Sequence, residues 1–109
     1  MSRNVRNNLE LLKALQKMNV KQRTNFLKDA DPSLVLAICE CALNTLKGNV
    51  PLKSGQKKKL VRFKKLLRAL TKNPRNWKSK RRLLVQKGGA LLPLLLSTAL
   101  SALLSTYLK

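Results

Sequence analysis

The segment 31-DPSLVLAICECALNTLKG-48 decides the fold, because it carries both ends of a helix and an apolar surface that runs nearly all the way round it. Asp31 is a good N-cap, Pro32 suits the first helical position, and Gly48 suits the left-handed position just past the end. The residues between them are mainly apolar: Leu34, Val35, Ile38, Cys39, Ala42, Leu43 and Leu46. A helix that is apolar all round is surrounded by other elements, so we expect this one to lie in the middle of a bundle.

Two shorter helices are predicted before this segment. Residues 3–18 place apolar side chains at three- and four-residue spacing, which is typical of one amphipathic helix. These side chains are Val5, Leu9, Leu12, Leu15 and Met18. Asn19, with Gln22 three positions later, resembles a capping box, so a second helix is expected to begin there and to bury Phe26 and Leu27.

Two basic helices and one apolar helix are predicted after the central segment. Residues 55–71 form the first of them, with one apolar stripe made of Leu60, Phe63, Leu67 and Leu70, helped by Val61 and Leu66. Asn73 and Pro74 are expected to open the second, which Gly88 and Gly89 end before the last apolar run.

No segment shows the alternation typical of a strand, so the predicted fold class is all-α. We expect a small bundle of short amphipathic helices, with a basic helical segment and a C-terminal apolar helix. The chain of 109 residues is short enough for one small core. The predicted organisation is a helical head (1–52), a basic helical nucleic-acid-binding segment (53–87) and an apolar C-terminal helix (88–109).

Charge is distributed very unevenly along the chain. There are 24 Lys and Arg against 4 Asp and Glu, with no His, giving a net charge of +20. All four acids (Glu10, Asp29, Asp31 and Glu40) precede residue 41, so every later charge is positive. This distribution indicates that the first half folds and the second half binds a polyanion, either nucleic acid or an anionic membrane surface.

The basic half supplies the candidate nucleic-acid contacts. A charged helix face is usually only solvated, but solubility is normally served by mixed signs, and here no acid is interspersed. The candidates are Lys57, Lys58, Lys59, Arg62, Lys64, Lys65, Arg68, Lys72, Arg75, Lys78, Lys80, Arg81 and Arg82. Binding to double-stranded DNA is expected to be non-specific, because the chain has no zinc finger or basic zipper and its aromatic residues are too scattered for a base-stacking platform.

The last 22 residues raise a separate question, because no charge occurs from Gly88 to Leu108. This run is long enough to cross a bilayer as a tail anchor in an intracellular membrane. It also suits a helix lying in the membrane interface, or one packed into the bundle or against another subunit of an oligomer. The candidate membrane or assembly residues are Leu91, Leu92, Leu95, Leu96, Leu100, Leu103 and Leu104.

Catalysis is not expected. The chain has no His, its few carboxylates lie in the folding half, and "KSGQKK" (53–58) lacks the glycine spacing of a P-loop. Cys39 and Cys41 match neither a redox CxxC pair nor zinc-ligand spacing, so we expect them to be small buried side chains in a reducing compartment. No cofactor and no metal are predicted.

Three stretches together resemble short basic proteins of Polinton/Maverick elements and adintovirus-like DNA viruses of animals. They are "ECALNTLKGNVPL" (40–52), "KKKLVRFKKLLRAL" (57–70) and "KSKRRLLVQKGGALLPLL" (78–95). The run "GGALLPLLLSTAL" (88–100) is also similar to the end of the adenoviral core-protein precursor X (mu), where a basic DNA-condensing segment precedes an apolar helix. Such precursors are cut after a Gly-Gly with an apolar residue two positions before it. Gln86 stands at that position here, so the two glycines are expected simply to separate two helices.

These resemblances imply a basic core or minor capsid protein, located in the virion interior or the host nucleus. It would condense DNA, and its apolar helix would dock on capsid proteins or perturb a membrane. The alternative from the residues alone is a tail-anchored or membrane-active protein whose cations contact anionic lipid. A third hypothesis is a host-domesticated interaction module in which the helices of residues 3–52 bind a protein partner.

Overall fold

The structure is a computed structural model that describes residues 3–72 and 76–108, with side chains described up to Ala102. These ranges form eight helices and no strand, in a bundle with a radius of gyration of 12.7 Å. The helices are α1 (Arg3–Asn7), α2 (Leu9–Lys17), α3 (Val20–Lys28), α4 (Pro32–Leu46), α5 (Ser54–Val61), α6 (Lys64–Thr71), α7 (Trp77–Lys87) and α8 (Leu91–Leu108). The all-α prediction is confirmed.

Helix α4 lies at the centre, as its sequence predicts. The Asp31 side chain accepts a hydrogen bond from the Leu34 amide (2.9 Å), and Gly48 has a φ of 78°. The helix packs against α1, α6, α7 and α8, and both Cys39 and Cys41 on it are buried. Its Leu, Ile, Val, Ala and Cys side chains are buried except for Leu36 and Leu46, which are half-buried, and Leu43, which is 37% exposed.

The single helix predicted over residues 3–18 is wrong, because the chain breaks at Asn8. The buried Asn8 side chain donates to the Asn4 carbonyl (2.7 Å) and to the Ser33 hydroxyl on α4 (2.8 Å). An asparagine side chain that bonds to the backbone competes with the helical pattern. The hydrogen bond from Asn8 to Ser33 therefore links the junction of α1 and α2 to the central helix.

The single helix predicted over residues 55–71 is also divided, at Arg62 and Phe63. The Phe63 amide bonds to the carbonyl of Leu60, three residues earlier (2.9 Å), so the turn is tighter than an α-helix and the apolar periodicity shifts. Leu60, with Leu67 and Leu70 beyond it, is buried. Val61 was expected to join this stripe, but it is 68% exposed.

Helix α3 begins with the predicted capping box. The Asn19 side chain accepts from the Gln22 amide (2.8 Å), and the Gln22 side chain accepts from the Asn19 amide (3.1 Å). Leu27 is buried as expected, whereas the prediction for Phe26 is wrong, since it is 37% exposed. Neighbours on a helix point about 100° apart, and on α3 it is Leu27 that points into the core.

The predicted break at Gly88 and Gly89 is confirmed, and α8 folds back onto α2 and α4. The expected opening residues of α7, Asn73 and Pro74, lie outside the described residues, and the helix itself begins at Trp77. The described core takes side chains from all three predicted segments of the chain.

Candidate nucleic-acid interface

Helices α5, α6 and α7 present most of the predicted DNA-contacting cations to solvent. Ten of them are exposed, and together they are called the basic surface: Lys57, Lys58, Lys59, Arg62, Lys64, Lys65, Arg68, Lys72, Lys78 and Arg82. Each helix is fixed by apolar side chains on its other side. On α6, for example, Leu67 and Leu70 are buried against α4 while Arg68 faces outward.

No cation of the basic surface forms an ion pair with a carboxylate of the described residues. Lys13 and Glu10 form an ion pair on α2 (3.6 Å), away from this surface. All four acids precede residue 41, so the basic helices contain no local counter-charge. Their positive potential is therefore available to an external polyanion.

Three predicted contacts are not part of this surface. Arg75 lies outside the described residues. Lys80 is only 5% exposed, and it shares a helix face with the buried Leu84 four positions later. The half-buried Arg81 donates from Nη1 to the Ala30 carbonyl (3.1 Å), which ties α7 to the start of α4.

Trp77 is occupied by cations of its own helix. The guanidinium carbon of Arg81 lies 5.0 Å from the centre of the indole ring, and the Nζ of Lys78 lies 5.9 Å from it. Both distances are within cation–π range. The ring is half-buried and already has these partners, so it is not arranged as an open platform for a base.

The two cysteines are not reactive groups of this surface. Burial raises the pKa of Cys39 to about 11, although the positive charge of Lys80 partly offsets the effect. Burial likewise raises the pKa of Cys41 to about 12. Both are free thiols, and within the described ranges no group of three or more Cys, Asp or Glu side chains is placed to hold a metal ion.

The leucines of the apolar run are placed inside the molecule. Leu91, Leu92, Leu95 and Leu96 are fully buried, and Leu100 is 3% exposed. Leu103 and Leu104 belong to α8, but their side chains lie outside the described ones. Along the described chain, no single helix has the length and apolarity to cross a membrane; the pair Trp77–Lys87 and Leu91–Ala102 meets that test only jointly, with a bend of 115°.

Arg23 is an important cation that the sequence analysis did not identify. It is 3% exposed and donates to three backbone carbonyls: from Nε to Leu15 (3.0 Å), from Nη1 to Gly89 (2.8 Å) and from Nη2 to Met18 (2.5 Å). Burial lowers the pKa of its guanidinium below the ordinary value. Its position four residues before the buried Leu27 is the signal that could have revealed it.

Comparison with known proteins gives no relative: no protein-family model, no curated protein and no solved structure matches this chain.

Proposed function

We propose that this chain binds double-stranded DNA non-specifically through the basic surface, as a basic core or minor capsid protein of a virus or virus-derived element. The observation that carries the proposal is the group of ten exposed cations on α5–α7 without an ion-pair partner among the described residues. Lys and Arg side chains on phosphates release condensed counterions, which gives affinity without sequence preference.

The helical scaffold supports this proposal. A flexible basic tail would have to be ordered on DNA, whereas the cations of α5, α6 and α7 project from helices that already pack on a core. Trp77 and the other aromatic residues add no open stacking surface, which favours backbone contact over base recognition. The resemblance of residues 32–95 to basic proteins of Polinton/Maverick elements and adintovirus-like viruses makes packaged DNA the expected binding partner.

The test is the DNA affinity of the full chain across a salt series. Residues of α8 fill the core, so a truncated chain would not present the same surface. We expect a slope of log affinity against log salt steeper than about −5, equal for unrelated sequences, since each neutralised phosphate contributes about −0.9. Weak binding at physiological salt, or a strong sequence preference, would contradict the proposal.

A matched pair of variants separates the basic surface from total charge. Lys58→Gln with Lys65→Gln removes two cations of the surface, while Lys21→Gln with Lys28→Gln removes two exposed cations of α3. The first pair should make the slope shallower by about 2, and the second should leave it nearly unchanged. Equal effects would show that no particular surface is involved.

Anionic lipid is the competing polyanion. Because Leu91, Leu92, Leu95, Leu96 and Leu100 are buried and Leu94 is half-buried, a membrane would be met by cations rather than by α8. Vesicles of phosphatidylserine and phosphatidylcholine provide the comparison. Two results together would assign the basic surface to lipid instead. The chain would bind vesicles more tightly than DNA at equal salt, and the Lys58→Gln, Lys65→Gln chain would lose as much affinity for vesicles as it loses for DNA.

A further inference from the structure

An apolar groove opens on the side of the molecule formed by α2, α3 and the start of α4. It measures about 360 Å³ and is lined by Leu11, Phe26, Asp29, Ala30, Asp31 and Leu34. Leu11 is 40% exposed and Phe26 is 37% exposed, so two of the large apolar side chains that reach solvent line the same groove. Paired exposed apolar groups of this kind mark an interaction surface more often than scattered ones do.

The rim of the groove is acidic, in a chain with a net charge of +20. Asp29 and Asp31 are two of the four acids of the whole sequence, and both are exposed. Asp31 accepts the Leu34 amide as an N-cap, and neither carboxylate is in an ion pair with a described cation. The groove therefore suits an apolar side chain flanked by positive charges.

The chain itself carries a surface of that description at the end of α5. Val61 is 68% exposed, the most exposed of the large apolar side chains that the structure describes. Lys57 and Lys58 precede it by four and three positions, so the three side chains share one helix face. This apolar knob, Val61 with its two adjacent lysines, is complementary to the groove, because an apolar side chain would meet apolar lining and positive charges would meet an acidic rim.

We propose that the groove of one copy receives the Val61 surface of a second copy, so that DNA-bound molecules assemble head to tail. The inference rests on the proposed function, because free chains of this charge repel each other. DNA phosphates neutralise the repulsion and raise the local concentration of the chain. Groove and knob are different surfaces, so the contact is heterologous and propagates from copy to copy along the duplex.

The experiment compares full-length chains on short and long DNA. The longest extent of the described molecule is 33 Å, which matches a duplex of about 10 base pairs that accommodates one copy. On a duplex about six times longer, wild-type binding should be cooperative, with affinity at least about tenfold above that for the short duplex per site. Phe26→Ser and Val61→Ser change no charge, and each should abolish the gain while leaving short-duplex binding nearly unchanged. Val61 is 68% exposed, so its variant should keep the melting temperature, whereas Phe26 is 37% exposed and its variant should melt at a lower temperature.

Mixing the two variants tests whether the contact is heterologous. A Val61→Ser chain keeps its groove and a Phe26→Ser chain keeps its knob, so an equal mixture should form pairs on long DNA but no longer runs. Asp29→Asn should weaken cooperativity although it adds net positive charge and slightly strengthens short-duplex binding.

The outcomes separate this inference from the proposed function. Independent binding of wild-type chains on long DNA, or cooperativity retained by Phe26→Ser, would overturn the head-to-tail contact while the DNA-binding function stands. A mixture that fails to pair would show that Val61 is not the occupant of the groove. Failure of the wild-type chain to bind the short duplex would remove the proposed function, and this inference with it.

Discussion

Replacing Arg23 with Met should destabilise the bundle strongly, although the residue lies far from the predicted site along the sequence. Methionine keeps an unbranched side chain about as far as the Nε position and removes the guanidinium that bonds to the carbonyls of Leu15, Met18 and Gly89. Those carbonyls belong to the end of α2 and to the α7–α8 junction. One side chain thus holds together three parts of the fold.

The magnitude follows from the burial of the three bonds. The bond to Leu15 is buried, so the carbonyl left without a partner costs about 2 kcal/mol. The bonds to Met18 and Gly89 are partly buried, so water can replace part of each, and they contribute about 1 kcal/mol apiece. The apolar methionine offsets about 1 kcal/mol through its own burial. The expected loss is therefore about 3 kcal/mol, a large part of a total stability of about 5–15 kcal/mol.

Urea unfolding followed by circular dichroism measures this loss, and thermal unfolding should show a midpoint about 12 °C lower. Arg23→Lys keeps the charge but loses the forked set of donors, so its free energy of unfolding should lie between those of wild type and Arg23→Met. Lys21→Met removes an exposed cation from the same helix and should leave the free energy of unfolding nearly unchanged. A free energy for Arg23→Met within 0.5 kcal/mol of wild type, about the scatter of surface substitutions, would refute the reasoning.

Three further predictions concern the core, the turns and the thiols. Leu95→Ala, at a fully buried position of α8, should lower the free energy of unfolding by about 2–5 kcal/mol in the same urea titration. Ser101→Ala, on the exposed side of α8, should leave it almost unchanged. An unchanged free energy for Leu95→Ala would mean that α8 is not part of the core. Gly88→Ala should destabilise the chain by about 1–3 kcal/mol, because a Cβ there would lie 2.5 Å from the Leu84 carbonyl oxygen. Gly55→Ala in α5 has open space and should stabilise the chain by about 0.5–1 kcal/mol. The reverse order of melting temperatures would contradict the geometry of the α7–α8 junction. The pKa values of about 11 for Cys39 and about 12 for Cys41 lie above the ordinary thiol value of 9.0, so the stability that the two protonated thiols contribute is complete below about pH 9 and is lost as the pH rises through the folded-state values. Urea midpoints across this range should fall less steeply in a Cys39→Ala, Cys41→Ala chain, and identical slopes would count against the shifts.

Lys80 and Phe26 are placed differently from the sequence-based expectation, and for one reason. Helical spacing shows which side chains share a face, but it does not show which face a neighbouring helix covers. On α7, Lys80 shares the face of Leu84, and that face is the buried one, so the cation is enclosed beside α4. Phe26 shows the opposite error, because Leu27 takes the buried direction and leaves the aromatic ring at the surface.

The sequence by itself determined the helical class, the ends of the central helix and the charge of the basic half, since these depend on local capping chemistry, periodicity and composition. It left three alternatives for the apolar run, because a leucine-rich helix suits lipid, a membrane interface and a protein core equally well. Only the tertiary structure shows where the described part of the run lies: Leu91 and Leu95 are buried, and α8 packs against α2 and α4. The same holds for the breaks at Asn8 and at Phe63, which depend on contacts and turns that local periodicity does not contain. Burial is a property of how helices meet, and the residues that decide it are distant in the chain.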